Sequence, residues 1–249
     1  MAEALVRSLL LKRVDIEDQK AYPFSIPALR RLEDLPLDPA VTFFVGENGS
    51  GKSTLVEAIA IAARLNPEGG SRFMRLATHE SQSPLHRYLR LVKGTRRIRD
   101  GYFLRAESFF NVATRLEQMT KEPRGGGALV PYGGKSLHAQ SHGESFIALI
   151  SNRFGPDSFF VLDEPEAALS LRGQLALMRR MHDLVSQGSQ FVISTHSPVL
   201  LGYPDATIYA LSDRGITKTR YEESEVFELT RSFLQDRNQF LRHLFDDDA

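Results

Sequence analysis

Val41-Thr-Phe-Phe-Val-Gly-Glu-Asn-Gly-Ser-Gly-Lys-Ser-Thr54 decides the fold of this chain. Its centre, Gly46-Glu-Asn-Gly-Ser-Gly-Lys-Ser53, satisfies the phosphate-loop pattern G-x-x-x-x-G-K-[ST] at each fixed position. The run before it, Val41–Val45, is short, apolar and β-branched or aromatic, which predicts a buried strand. The run after it, Thr54 to Leu65, is rich in Ala, Leu and Ile and predicts a helix. Strand, glycine-rich turn and helix are the context that gives the motif its meaning. The glycines let the backbone turn and present N–H groups to phosphate oxygens, at the positive end of the new helix. Gly46, Glu47, Asn48, Gly49, Ser50, Gly51, Lys52, Ser53 and Thr54 are therefore the candidate nucleotide contacts. Lys52 is expected to reach the β- and γ-phosphates, and the Ser53 hydroxyl to hold Mg2+.

The bulk properties narrow the class. At 249 residues the chain fits one large α/β domain, or one domain with a lobe inserted in it. Its 31 basic and 31 acidic residues cancel, so no global field advertises nucleic acid, and only a local patch could bind it. The absence of Cys excludes disulfides, thiolate chemistry and Cys-based metal sites. No apolar run approaches the ~18 residues that span a bilayer. The first residues carry Glu3 and only a brief apolar run, a poor signal peptide. A cytoplasmic protein that does not insert in the membrane is the expectation.

Outward from the loop, Leu5–Val14 and Val41–Val45 bracket a stretch punctuated by Pro23, Pro27, Pro36 and Pro39, which predicts a small β layer ahead of the loop. Residues 66–100 are polar and basic, with Arg87, Arg90, Lys93, Arg96, Arg97 and Arg99 among them. Gly101–Arg105 predicts a strand, and Ser108 a cap for a helix running to about Lys121. Ile208–Leu211 and Ile216–Thr219 flank Asp213-Arg-Gly215 as a hairpin. The tail from about Glu225 to Phe245 has helical spacing.

Three more stretches carry chemistry. Phe159-Phe-Val-Leu-Asp-Glu164 predicts a buried parallel strand with two carboxylates at its C-terminal end, the edge where open α/β sheets bind ligands. Asp163 suits a direct or water-mediated Mg2+ contact, and Glu164 suits a general base for an attacking water. Phe191-Val-Ile-Ser-Thr-His-Ser-Pro198 is another apolar strand, ending in His196, a residue type that is structural in many settings but here is placed to sense a γ-phosphate. Ser141-His-Gly-Glu144 opens a helix-compatible run, where a Ser and a Gly form an anion site or a plain N-cap.

The order of phosphate loop, Ser-x-Gly-Glu helix start, apolar-Asp-Glu strand and strand-end His resembles the ATP-binding-cassette class of ATPases over roughly residues 41–200. Ser141-His-Gly-Glu144 looks like a divergent form of that class's signature, with His142 where a Gly is usual. The resemblance implies that Ser141, Gly143 and Glu144 contact the ATP held by a second protomer. It further implies that Glu166–Ser170 is a dimer-contact loop and His196 the switch histidine. Asp163–Ser170, Ser194–Pro198 and Phe103–Phe110 are similar to the soluble RecF-, SMC- and OLD-like branch, which includes compact AAA-type ATPases. Glu107, after the Gly101–Arg105 strand, and Gln82 are the two candidates for the class's metal-sensing glutamine loop; Glu107 would be a metal-side carboxylate. Tyr22 or Phe24 could stack adenine or pack in the core.

The expected fold is an α/β phosphate-loop NTPase: a mostly parallel sheet flanked by helices, an N-terminal antiparallel β layer and an inserted helical lobe. Residues 1–249 are expected to form one domain, the lobe covering approximately 66–150. The resemblance implies binding of ATP and Mg2+, hydrolysis to ADP and phosphate by Lys52, Glu164 and His196, and a homodimer that sandwiches ATP. The output is expected to serve nucleic acid or another protein partner. The competing readings are the ATP-binding subunit of a membrane transporter and an ATP-gated switch that does not hydrolyse.

Overall fold

The computed structural model describes residues 3–71, 82–106, 109–120, 129–130, 134, 136 and 142–245. In chain order the strands are β1 (Val6–Leu11), β2 (Asp34–Pro36), β3 (Val41–Val45), β4 (Gly70–Ser71), β5 (Leu89–Lys93), β6 (Asp100–Arg105), β7 (Ser158–Asp163), β8 (Gln190–Ser194), β9 (Thr207–Ser212) and β10 (Gly215–Thr219). The helices are α1 (Pro27–Arg30), α2 (Lys52–Ala62), α3 (Leu85–Tyr88), α4 (Phe109–Thr120), α5 (His142–Arg153), α6 (Leu171–Ser186), α7 (Pro198–Leu201), α8 (Glu225–Gln235) and α9 (Arg237–Phe245).

Among the described residues the strands form a seven-stranded sheet, ordered β10-β9-β3-β8-β7-β6-β4, and a three-stranded one, β2-β1-β5. The middle of the large sheet, β9-β3-β8-β7-β6, is parallel, and its two edge strands are antiparallel. Strands β3, β7 and β8 are buried at every position, the pattern of parallel strands covered on both faces. The sheet divides the apolar core in two. On one face Phe43, Phe160, Leu162 and Ile193 meet residues of α4, α5 and α6. On the other face Phe44, Phe159, Val161 and Val192 meet α2 and the small sheet. Helix α2 therefore lies between two sheets, which is why Leu55, Val56, Ala58, Ile59 and Ala60 are all buried and it shows no polar stripe of its own. Gln190 ties the two sheets together: its side chain accepts from the Val6 amide at 2.8 Å and donates to Val6 O at 2.8 Å and Asp38 O at 2.7 Å.

The antiparallel layer differs from expectation in its source. Its third strand is β5, from the basic stretch behind the phosphate loop, with Leu89 opposite Leu11 and Leu91 opposite Leu9. Arg90, Val92 and Lys93 stay exposed. Charge on the outward positions hid an apolar alternation on the inward ones. Residues 66–150 thus carry β4, β5 and β6 as well as α3, α4 and most of α5.

Register sets up the site. Across adjacent strands Phe44 lies opposite Ser194, Ser194 opposite Asp163, and Asp163 opposite Arg105. The C-terminal ends of β3, β8, β7 and β6 are brought to one level, directly beside the loop that follows β3.

Candidate active site

The loop between β3 and α2 turns through positive φ at Gly46 (148°), Gly49 (81°) and Gly51 (96°). At Gly46 a Cβ would also stand 2.4 Å from Leu211 O of β9, so only glycine passes there. The loop wraps the ammonium of Lys52, which donates to Gly46 O at 2.7 Å and Glu47 O at 2.9 Å. Lys52 is only 4% exposed. Burial lowers its pKa, opposed by the carboxylates of Glu164, Asp163 and Glu166. Ser53 and Thr54 follow in the first turn of α2, where orphan N–H groups and the helix dipole favour an anion.

Asp163 closes β7 and is buried. Its Oδ1 accepts the Ser194 hydroxyl at 2.5 Å, and its Oδ2 accepts Arg105 Nε at 3.0 Å. Arg105 also donates through Nη1 to Glu57 Oε2 of α2 at 3.0 Å. Burial works against the charged guanidinium, but the pull of Asp163, then of Glu57, outweighs it and raises its pKa.

Glu164 has φ 49° and ψ 54°, a left-handed conformation unusual for a residue with a side chain. Its amide is held by Ser194 O at 3.1 Å and Ser194 Oγ at 3.3 Å. This sharp turn at the strand end aims the Glu164 carboxylate along the sheet edge, to within 3.6 Å of His196 Nε2. That spacing is too long for a direct hydrogen bond. Both side chains remain over a third exposed.

Glu166, two residues on, accepts the His196 amide through Oε1. Burial raises its pKa, against bonds from the His196 amide, its own amide and the Thr195 hydroxyl. Ser50 Oγ, Glu166 Oε2 and His196 Nε2 are buried with no hydrogen-bond partner among the described residues. Buried polar atoms in a folded protein almost always find partners, so a cluster of orphans around one loop fits a polar ligand that satisfies them. The donor set suits an oxygen-rich anion with a hard cation: loop amides, an ammonium, a hydroxyl at Ser53 and a carboxylate at Asp163. Among the described residues no group of three or more His, Asp or Glu makes a metal site by itself. A cation here would take the rest of its ligands from phosphate and water.

The expected site residues sort as follows. Lys52, Asp163 and Glu164 are coupled electrostatically, and His196 faces Glu164. Gly46, Glu47, Asn48, Gly49, Ser50 and His196 line one cavity of 820 Å3, shared with Leu211 and with Glu225, Val226 and Leu229 of α8. Gly143 and Glu144 line a separate cavity of 640 Å3 with Ala168, Leu169, Ser170 and Gly173. Ser141 and Glu107 lie outside the described residues. Gln82 is exposed in a loop. Of the two adenine candidates, Phe24 is 4% exposed and packs edge-on against Tyr88 at 5.3 Å, which makes it core. Tyr22 is 61% exposed, its hydroxyl 3.2 Å from Thr54 Oγ1. Sequence reasoning missed Arg105 and Ser194 as site residues, and placed Glu166 only in the dimer-contact loop. Their signal was position: polar residues at or just past the C-terminal ends of buried parallel strands.

Two cations of the basic stretch pair within the chain. Arg96 pairs with Asp157 and donates to Glu3 O at 3.3 Å, and Arg99 Nε sits 3.3 Å from Asp157. Arg87, Arg90 and Arg97 remain exposed.

Parts of the chain are similar to known proteins. Residues 15–97 match the model of an AAA domain, and residues 136–202 match "AAA domain, putative AbiEii toxin, Type IV TA system". The chain is 26% identical over 236 residues to a "Putative ABC transporter ATP-binding protein" of Methanothermobacter thermautotrophicus, covering 88% of this chain and 80% of that one. It is 28% identical over 156 residues to the chromosome partition protein Smc of Methanocaldococcus jannaschii, covering 53% of this chain but only 13% of the relative's length. Its fold is similar to that of a metal-chelate type ABC transporter solved in an inward-facing conformation, at TM-score 0.51 and 16% identity, over 94% of this chain and 90% of that one. The chain thus carries AAA-type domain sequence on the α/β fold of ATP-binding-cassette ATPases. No helix among its described residues is long and apolar enough to cross a membrane.

Proposed function

We propose that this chain binds ATP with Mg2+ at Gly46–Thr54 and hydrolyses it to ADP and phosphate, acting as a head-to-tail homodimer with two ATP molecules in its interface. The observation that carries the reading is the common level of the strand ends. It sets Asp163, Glu164 and His196 beside the buried Lys52, among polar atoms that lack partners.

In this reading Lys52 exchanges its two carbonyl partners for phosphate oxygens, and Ser53 and Asp163 hold the cation. The bound nucleotide and Mg2+ supply the transferable phosphoryl group and neutralise charge on it. Glu164 orients a water and takes its proton. His196 Nε2 faces that carboxylate at 3.6 Å from Glu164 Oε1, beyond a direct hydrogen bond. The fixed αL turn at Glu164 spends strain on holding that carboxylate in place. Catalysis is positioning plus electrostatics, with no covalent step on the protein. Gly143 and Glu144, with Ser141, would act on the ATP of the other protomer; their separation from the loop cavity within one chain supports that arrangement. Tyr22 stands as the adenine-side aromatic and Glu107 as a further metal-side carboxylate. Residues 1–249 then form one ATPase unit, with 66–150 inserted between the phosphate loop and β7.

A second reading, the ATP-binding subunit of a membrane assembly, is favoured by the transporter-type relative that spans most of the chain. Co-purification with a membrane chain would select it. The nucleic-acid reading retains Arg87, Arg90 and Arg97 as exposed cations. The test of the primary reading is phosphate release with MgATP by wild type and Glu164→Gln. Turnover in wild type, and bound but uncleaved ATP in the variant, is expected; no ATP binding by wild type overturns it.

A further inference from the structure

Arg105 is the last residue of β6, and its side chain is wedged between two carboxylates. Nε meets Asp163 Oδ2 and Nη1 meets Glu57 Oε2, each at 3.0 Å. The three side chains are 22%, 5% and 12% exposed for Arg105, Asp163 and Glu57. The guanidinium also lies 5.7 Å from the centroid of the Phe103 ring. A planar fork bridging two carboxylates fixes both in direction, which the freely rotating donors of an ammonium do less rigidly. Glu57 belongs to α2, the helix that opens with Lys52 and Ser53, so the fork joins the phosphate-loop helix to the carboxylate at the end of β7.

The fork has an electrostatic consequence as well. Asp163 shares its charge with a permanent cation at hydrogen-bond distance, in a buried setting where Coulomb forces are strong. A divalent cation approaching Asp163 meets a carboxylate already partly neutralised. Ser194 occupies Oδ1, so the orientation of the whole carboxylate is set before any cation arrives.

We infer that Arg105 is a positioning residue of the site: it aims the Asp163 carboxylate and weakens that carboxylate's hold on the divalent cation. The inference rests on the proposed ATPase reading, since it concerns how this chain meets the cation that accompanies ATP. Fixed aim with a moderated grip favours turnover, because the cation must leave with the product.

The test is equilibrium dialysis of the slowly hydrolysed analogue ATPγS, with saturating Mn2+ and with EDTA, for wild type, Arg105→Gln and Arg105→Lys. The ratio of the two affinities reports how strongly the site couples metal to nucleotide. Arg105→Gln should raise this ratio about threefold or more, because a buried positive charge has been removed. Its kcat for MgATP should fall about tenfold. Arg105→Lys should return the ratio towards wild type while kcat stays low, because charge is restored and the fork is not. An unchanged ratio and kcat in Arg105→Gln overturns the proposal. If that variant fails to fold, Glu57→Gln/Arg105→Gln decides, since the cluster then keeps its net charge and buries no unpaired carboxylate at Glu57. Low kcat in the double variant supports the aiming role, and wild-type kcat overturns it. Failure of the underlying reading is separate: wild type itself would then bind no ATPγS.

Discussion

The phosphate-loop edge and the junction around Arg96 are both dense in charge, and they treat it in opposite ways. At the junction Arg96 and Arg99 close on Asp157, and Arg153 closes on Asp100 at 2.6 Å. Gly188 fits there because a Cβ would run into the Arg96 guanidinium. At the loop edge, among the described residues, Lys52 donates to main-chain carbonyls alone, Glu164 and His196 stand apart at 3.6 Å, and Ser50, Glu166 and His196 each keep an orphan atom. Pairing charge within the chain holds the fold together. Leaving buried polar atoms unpaired costs stability and is sustained where a ligand completes them.

The sharpest way to break this contrast is to remove the candidate base. Glu164→Gln should lower kcat about 10²- to 10⁴-fold, the range for general-base loss, while ATP affinity measured by dialysis stays near wild type. Equal losses of kcat and affinity would mean that Glu164 holds substrate instead. Next in size, Lys52→Ala should weaken ATP binding about 100-fold, since two or more charge-assisted bonds to phosphate are lost. Its melting temperature should change little. A collapse of the fold would show that Lys52 belongs with the structural charges.

The junction answers in the other currency. Arg96→Glu should cost about 1–3 kcal/mol in denaturant unfolding, because it leaves Asp157 facing a second carboxylate in a partly buried site. Arg97→Glu, on the exposed side of the same stretch, should stay within about 0.5 kcal/mol. Equal effects would erase the distinction. Glu166→Gln tests the orphan carboxylate oxygen. Burial raises the Glu166 pKa in the folded chain, so the folded state holds this proton more tightly than the unfolded one. Stability from this group is then present at acid pH and is lost as pH rises from the ordinary carboxylate value through the raised one. The amide cannot ionise, so the variant should match or exceed wild type at pH 8 by no more than about 2–4 °C in Tm. A large drop there would mean the second oxygen is bonded, not orphaned.

Much of the candidate site was legible because its parts are local. Strand, glycine turn and helix follow within one stretch, and Glu164 and His196 each end an apolar run. What escaped depends on pairing at long range. Arg105 meets Asp163 only because β6 and β7 align across 58 positions of sequence, and Ser194 meets it across 31. Strand β5 was hidden because Arg90 and Lys93 dominate a stretch whose inward residues, Leu89 and Leu91, carry the sheet. The tail was expected as one helical run. It breaks at Asp236, whose Oδ1 accepts the Gln239 amide at 2.9 Å and caps a second helix. A side chain that bonds its own backbone outweighs apolar spacing there.

The central claim is an ATP site completed by a second copy of the chain. Light scattering on Glu164→Gln, with and without MgATP, tests it most directly. The account predicts one protomer mass without nucleotide rising to twice that mass with MgATP, and no such rise when Lys52→Ala is added. A Glu164→Gln protein that binds ATP and remains at one protomer mass at every concentration would contradict it.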